Sequence, residues 1–235
     1  MKRRVKSLGW GVRKEGRNIW TRNAVKGVSV RKERRKRDGR NEWRLWDAKK
    51  SKIAASIIRT KLNPIDLIPL PGQSCLYLGA SVGGTVSHIH DCVCGSGNHH
   101  KGQIIAIDVS TRMMRELVAL SEIRPGIIPV LGDARNISEI SPFVNKKVDW
   151  LHQDLSISDQ AKTFVKVVEV FLKDNGVALL SLKAASERMS DGNTENKFEK
   201  AMEIINNSNL NIIEMIDLKG LEEQHMLFFC KLKYL

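Results

Sequence analysis

Between residues 74 and 232, seven short apolar segments are interleaved with four amphipathic ones, and few folds accept that alternation. Strands are expected over 74–79, 103–109, 127–131, 148–155, 177–182, 212–218 and 225–232, with helices over 85–93, 111–123, 158–173 and 194–206. A strand followed by a helix and another strand pairs parallel through a crossover, so most of these segments belong to one open α/β sheet covered on both faces. The last two strands have no helix between them and should close the sheet as an antiparallel hairpin. Ser110 and Ser158 stand where N-caps are wanted, and Gly176 where a helix would turn back into a strand.

The head of the chain is different. Residues 1–50 hold 19 of the 39 Lys and Arg but only 5 of the 26 Asp and Glu, and the remaining 185 residues are nearly neutral. We divide the chain into a basic, β-rich region over 1–48 and an α/β domain over 49–235. "GVSVRK" and "NEWRLW" lean to strand around an Asp-Gly turn, Asp38-Gly39, that favours a hairpin. Trp43, Leu45 and Asp47 alternate with Arg44 and Trp46, as in a strand with two unlike faces. From Lys49 the period changes: Ile53, Ala54, Ile57 and Ile58 recur at helical spacing until Asn63-Pro64. The run Arg31 to Arg40 has no apolar face for lipid, so an anionic polymer, RNA before a membrane, is the expected partner. No apolar run reaches the roughly 20 residues that span a bilayer. No apolar segment follows the basic start as in a secretory signal. Four irregularly spaced cysteines suit a reduced, cytoplasmic protein.

Ligands of open α/β sheets bind beyond the carboxyl ends of the strands. There the first strand empties into Gly79-Ala80-Ser81-Val82-Gly83-Gly84-Thr85, where nothing between Gly79 and Gly84 is larger than valine. The next four strands end in Asp108, Asp133, Asp154 and Lys183. An acid ending the second strand suits a ribose diol. Asp133 with the N–H of Ala134 suits an adenine edge. These parts fit an adenosine without phosphates.

Five blocks, "LYLGASVGGTVSHIHD", "AIDVSTRMMRELV", "GIIPVLGDARN", "HQDLSISDQ" and "FLKDNGVALLSLKAAS", resemble in order and spacing the fibrillarin family in its archaeal-type form. The head, from Asn18 on, resembles that family's β-rich N-terminal part. The resemblance implies a seven-stranded, Rossmann-like S-adenosylmethionine-dependent methyltransferase sheet behind a small β-rich domain. It also implies guide-directed ribose 2′-O-methylation of rRNA, and of tRNA, in a box C/D ribonucleoprotein. The implied partners are the guide RNA and its target, a Nop-domain scaffold protein and a kink-turn-binding protein, in the cytoplasm of an archaeal-type cell. Cofactor contacts then fall on Gly79, Ala80, Gly84, Thr85, Asp108, Val109, Asp133, Ala134, Asp154 and Gln160, and a catalytic set on Lys52, Asp154 and Lys183. In this chain Gly84 replaces a threonine, Asp108 a glutamate, Val109 an aromatic residue and Ala185 an arginine.

Those departures motivate a rival reading, a non-catalytic subunit of an RNA particle. A second rival is a stand-alone RNA methyltransferase that finds its target through the basic head. A nicotinamide-dependent oxidoreductase is disfavoured, because the loop lacks the dinucleotide fingerprint. Cys92-x-Cys94 with His99-His100 matches no standard zinc spacing, so no metal is expected and the segment reads as a solvated loop. Phe164, Val167, Val168 and Phe171 form a core stripe. Trp10, Trp20, Trp43 and Trp46 either stack bases or pack the small domain.

Overall fold

The computed structural model describes residues 4–187 and 193–233, in two sheets. The first is antiparallel: β1 (Val5–Ser7), β2 (Val12–Glu15), β3 (Asn18–Arg22), β4 (Arg35–Asp38) and β5 (Asn41–Trp46), in the order β1-β2-β3-β5-β4. The Asp-Gly turn joins β4 to β5 with Asp38 opposite Asn41. "GVSVRK" is not a strand; residues 27–32 are turn, irregular chain and bend, and β4 begins later, in the arginine run. The two unlike faces of β5 also have an unexpected sense. Glu42, Arg44 and Trp46 are the buried set, so the inner face is partly charged.

Helix α1 (Lys52–Arg59) follows, capped by the Ser51 side chain. The second sheet contains β6 (Ser74–Leu78), β7 (Gln103–Asp108), β8 (Ile127–Leu131), β9 (Val148–Gln153), β10 (Leu172–Lys183), β11 (Leu210–Asp217) and β12 (His225–Leu232). Between them lie α2 (Gly84–Val93), α3 (Thr111–Ile123), the single turn α4 (Ile137–Ile140), α5 (Gln160–Phe171) and α6 (Thr194–Asn206). The order is β11-β12-β10-β9-β6-β7-β8, with β12 antiparallel to both neighbours and the other pairings parallel. The seven strands and the closing hairpin therefore stand as expected. The period-2 pleat divides the core. Cys75 and Tyr77 join the cluster with α1, α2 and the first sheet, while Leu76 and Leu78 join Phe164, Val167, Val168 and Phe171 of α5 on the other face.

Two local expectations need correction. Ser110 does cap α3, accepting from Met113 N–H, but Ser158 does not cap α5. The N-cap is Asp159, with φ 56°, and its N–H and that of Gln160 both donate to the distant Glu187 carboxylate at 2.9 Å. Gly176 lies inside β10, where the register with β9 breaks between Leu172 and Val177, so it serves an irregularity rather than a helix-to-strand turn.

The first sheet is clamped to the second by a buried charge cluster. Asp91 of α2 accepts from Arg44 Nε and Arg124 Nη1, each at 2.8 Å, from Thr21 Oγ1 at 2.7 Å and from Ala24 N–H at 3.0 Å. Arg44 also pairs with Glu33 at 2.6 Å, so two guanidiniums face two carboxylates. Burial alone would raise the Asp91 carboxyl, but Arg44 and Arg124 more than offset it and hold it well below the usual range. The basic head is thus a folded sheet keyed into α2, not a loose arm.

Candidate functional site

The cofactor-sized cleft opens where β6 is flanked by β7 on one side and β9 on the other, the switch point of the sheet. Its volume is about 280 Å³, and it lies at the carboxyl ends of β6, β7, β8 and β9. The loop after β6 is shaped by backbone that side chains cannot follow. A Cβ on Gly79 (φ +83°) would come 2.1 Å from the Asp154 carbonyl oxygen, and one on Gly83 (φ +80°) would come 2.3 Å from Leu120. Ser81 takes the left-handed conformation too, at φ 49°, and its N–H donates to Asp108 Oδ2 at 2.7 Å. Asp108 Oδ1 accepts from Ser110 N–H at 2.9 Å, so the carboxylate expected to meet a ribose also organises the loops on either side of it. Each oxygen keeps a lone pair for a further donor.

Along the same cleft, Val109 is 69 % exposed at the rim. Asp133 holds Arg135 through paired hydrogen bonds of 2.6 and 3.0 Å, and those bonds keep its carboxyl below the usual range. Ala134 sits beside it in the wall. Asp154 continues the wall, and its Oδ2 lies 3.1 Å from Lys52 Nζ, both side chains about one-fifth exposed. Lys183 ends the neighbouring strand β10, is half-buried, and makes no ion pair among the described residues. The structure therefore brings together Lys52 and Asp154 directly and sets Lys183 on the adjacent strand. Gly84 and Thr85 follow at the start of α2 and line a second cavity. There Thr85 bonds Ser51 Oγ at 3.1 Å, while the Tyr77 phenol, which bonds Thr85, is pushed well up by burial.

Gln160 is placed differently from the sequence expectation. It is fully buried and outside the cleft wall; its side chain brackets the end of β10, Nε2 donating to the Lys183 carbonyl and Oε1 accepting the Lys183 N–H, both at 3.0 Å. A change at Gln160 is therefore felt first in the backbone of Lys183. Gln160→Ala is expected to slow single-turnover transfer by about 10²-fold through misplacement of Lys183, leaving cofactor affinity within a few-fold. A loss in cofactor affinity instead would make it a cofactor contact after all.

Sequence reasoning missed Ser81, Leu155, Ser156 and Ile157, which line the cleft, and His225 of β12, the cross-strand partner of Lys183. Directly opposed residues of an antiparallel pair project to the same face, so an imidazole stands beside the lysine. β9 ends at Gln153, and within the block "HQDLSISDQ" nothing distinguishes the residues that face the cleft; the β10–β12 register cannot be read from either strand.

A family model described as Fibrillarin matches residues 3–234. The chain belongs to the fibrillarin family. The fibrillarin-like rRNA/tRNA 2′-O-methyltransferase of Methanocaldococcus jannaschii is 34 % identical over 222 residues, 94 % of this chain and 90 % of the relative. Fibrillarin of Aeropyrum pernix, solved with natively bound S-adenosyl-L-methionine, has a TM-score of 0.81 at 28 % identity and covers 97 % of this chain and 99 % of its own. A fibrillarin/Nop5p complex gives 0.82 at 28 % identity, over 97 % and 100 %. The seven-stranded sheet and the antiparallel sheet before it are the fibrillarin arrangement.

Other sequence readings resolve locally. Cys92 on α2 and Cys94 at its C-cap are buried rather than in a solvated loop, and burial pushes the Cys94 thiol up to about 12. Among the described residues no group of three or more His, Cys, Asp or Glu is gathered as for a metal ion, and no helix is long and apolar enough to cross a membrane. Trp20 and Trp46 are packing residues, 2 % and 1 % exposed, Trp43 lies 3.9 Å under Arg13, and Trp10 is exposed.

Proposed function

We propose that this protein is an RNA ribose 2′-O-methyltransferase acting with S-adenosylmethionine as a subunit of a guide-directed ribonucleoprotein. The observation that carries the reading is the Lys52–Asp154 pair at 3.1 Å, Asp154 lining the cleft at the strand ends and Lys183 on the next strand. The cleft suits the cofactor: carboxylates at Asp108 and Asp154 match hydroxyl donors and a cation, and the left-handed loop keeps bulk away from the backbone.

When bound, S-adenosylmethionine supplies a methyl carbon on a sulfonium, open to attack by an oxygen with loss of the thioether. The protein's share is alignment and proton handling. Asp108 receives the ribose hydroxyls of the cofactor, and Asp133 with Ala134 the adenine edge. Asp154 fixes Lys52, which holds the substrate ribose or phosphate. Lys183 receives the 2′-hydroxyl proton as the oxygen–carbon bond forms, with His225 on the paired strand opposite it.

For partners, the fibrillarin/Nop5p complex supports a Nop-domain scaffold, and the surplus of cations in the first sheet supports RNA. A guide RNA and a kink-turn-binding protein complete the particle we envisage. We take residues 1–48 and 49–235 as its two domains, and four free, buried thiols suit the reducing cytoplasm in which we place it.

Calorimetry tests the cofactor assignment. S-adenosylmethionine should bind and NAD should not, and Asp108→Ala should weaken binding by about 1–3 kcal/mol, the cost of leaving buried hydrogen-bonding groups unpaired. An unchanged dissociation constant in a folded variant would remove Asp108 from the site.

A further inference from the structure

Next to the cofactor cleft lies a second cavity of about 340 Å³, between the first sheet and the start of α2. Its base is the Trp46 indole stacked on His88, centroids 5.2 Å apart and planes 9° from parallel. Ser51, Thr85 and Ser87 are among its lining residues, but Ser87 donates its proton to the Gly84 carbonyl at 2.7 Å and Thr85 donates to Ser51. Ser51 Oγ already accepts from Trp46 Nε1 at 2.9 Å and Thr85 Oγ1 at 3.1 Å, which leaves its own proton to donate.

The rim is cationic: Arg31, Lys32, Arg34 and Lys50. The two acids among the lining residues are already engaged. Glu33 holds Arg44 and the N–H groups of Val30 and Arg31, and Asp47 accepts the Lys49 N–H. Arg34 faces the Trp20 ring at 5.2 Å. Arg31, Lys32 and Lys50 are exposed, with no side-chain ion pair or hydrogen bond among the described residues. Solvated cations scattered over a surface are ordinary; these converge on a concave space in which Glu33 is paired with Arg44, while Asp47, bonded only to a backbone N–H, is outnumbered by three unpaired cations. An anion fits it, and the class is a phosphate rather than a flat base, because Trp46 is 1 % exposed and its face is covered by His88. Lys50 and Ser51 lie immediately before Lys52, which holds Asp154 at the reacting end of the cleft.

We propose that this cavity is a substrate-RNA subsite that takes a phosphodiester group flanking the ribose to be methylated. It rests on the RNA methyltransferase reading above, and adds to Lys52 a second point, beside the reacting hydroxyl, where the sugar–phosphate backbone is gripped. Arg31 offers a planar fork, Lys32 and Lys50 point charges, and Ser51 one neutral donor.

The test compares two charge-matched triple variants of the full chain, Arg31→Gln/Lys32→Gln/Lys50→Gln and Lys6→Gln/Lys14→Gln/Arg17→Gln, the latter around β1 and β2. The probe is a fluorescent single-stranded oligouridine, titrated at several salt concentrations. Each phosphate of a single strand that the protein no longer neutralises lowers the slope of log affinity against log salt by about 0.7, so the first triple should lose about 2 and the second should keep most of the parent slope. Cofactor affinity should stay within a few-fold for both. Equal losses in the two triples, or none in the first, overturn the subsite and make the charge diffuse. The two readings fail separately. Methyl transfer by the parent with equal slopes sinks the subsite alone, whereas a slope difference without any methyl transfer sinks the reaction and keeps the subsite.

Discussion

Lys183→Ala is expected to lower single-turnover methyl transfer by about 10²–10⁴-fold, the range for removing a general base, with cofactor affinity within a few-fold of the parent. The lysine closes a strand whose neighbour carries Asp154, half-buried and without an ion-pair partner among the described residues, while Gln160 fixes its backbone on both sides. An amine whose backbone is fixed next to a carboxylate–lysine pair, yet which has no carboxylate partner of its own among the described residues, is placed to take a proton that arrives with the substrate hydroxyl. Lys183→Arg should not restore the rate, since a guanidinium keeps its proton and has a different shape. The measurement is single-turnover transfer at saturating cofactor and RNA, beside a melting curve. Turnover near the parent rate in a folded Lys183→Ala protein would move the proton to His225 or water.

The largest effect on stability is expected at Asp91. Asp91→Asn keeps the shape but removes the negative charge that Arg44 and Arg124 both face, and breaking a buried ion pair in this way costs about 3–5 kcal/mol. Against a typical stability of about 5–15 kcal/mol that is a large share. The pH dependence has a definite sign. The folded carboxyl titrates well below its unfolded value, so its contribution is complete above the unfolded pKa of about 4 and drains away as pH falls further. Urea unfolding of parent and variant at neutral pH and near pH 3 reads both effects. The parent should weaken in acid, and the gap between the two proteins should narrow. A variant as stable as the parent at neutral pH would mean that apolar packing alone joins the two sheets.

These two residues also mark what is legible in the chain alone. The seven strands of the main sheet show because each is an apolar run bounded by turn residues, and the edge they share gives Asp108, Asp133, Asp154 and Lys183. The first sheet shows poorly, because its buried face carries Glu42 and Arg44, which in sequence look like solvated residues. Nothing in the residues around Arg44, Asp91 and Arg124 announces that they meet, since the attraction depends on contacts 33 and 47 positions apart. The same holds for Glu187, which caps α5 from beyond β10. Lys52 enters the candidate set only through the family resemblance, as a first-turn helix lysine has no signature of its own. Gln160 is legible as a special residue but its contact is not, because a side chain that brackets a strand end can be told from one that faces a ligand only in three dimensions.

The most direct test of the central claim is where the methyl group goes. The full chain, reconstituted with a Nop-domain scaffold, a kink-turn-binding protein and a guide RNA, is given methyl-labelled S-adenosylmethionine and a complementary RNA, and the product is digested to nucleosides and analysed by mass. Label on the ribose 2′-oxygen of the single nucleotide that the guide specifies, lost when the guide is omitted, is the expected result. Label on a base, guide-independent label, or no label from a protein that binds the cofactor would contradict it.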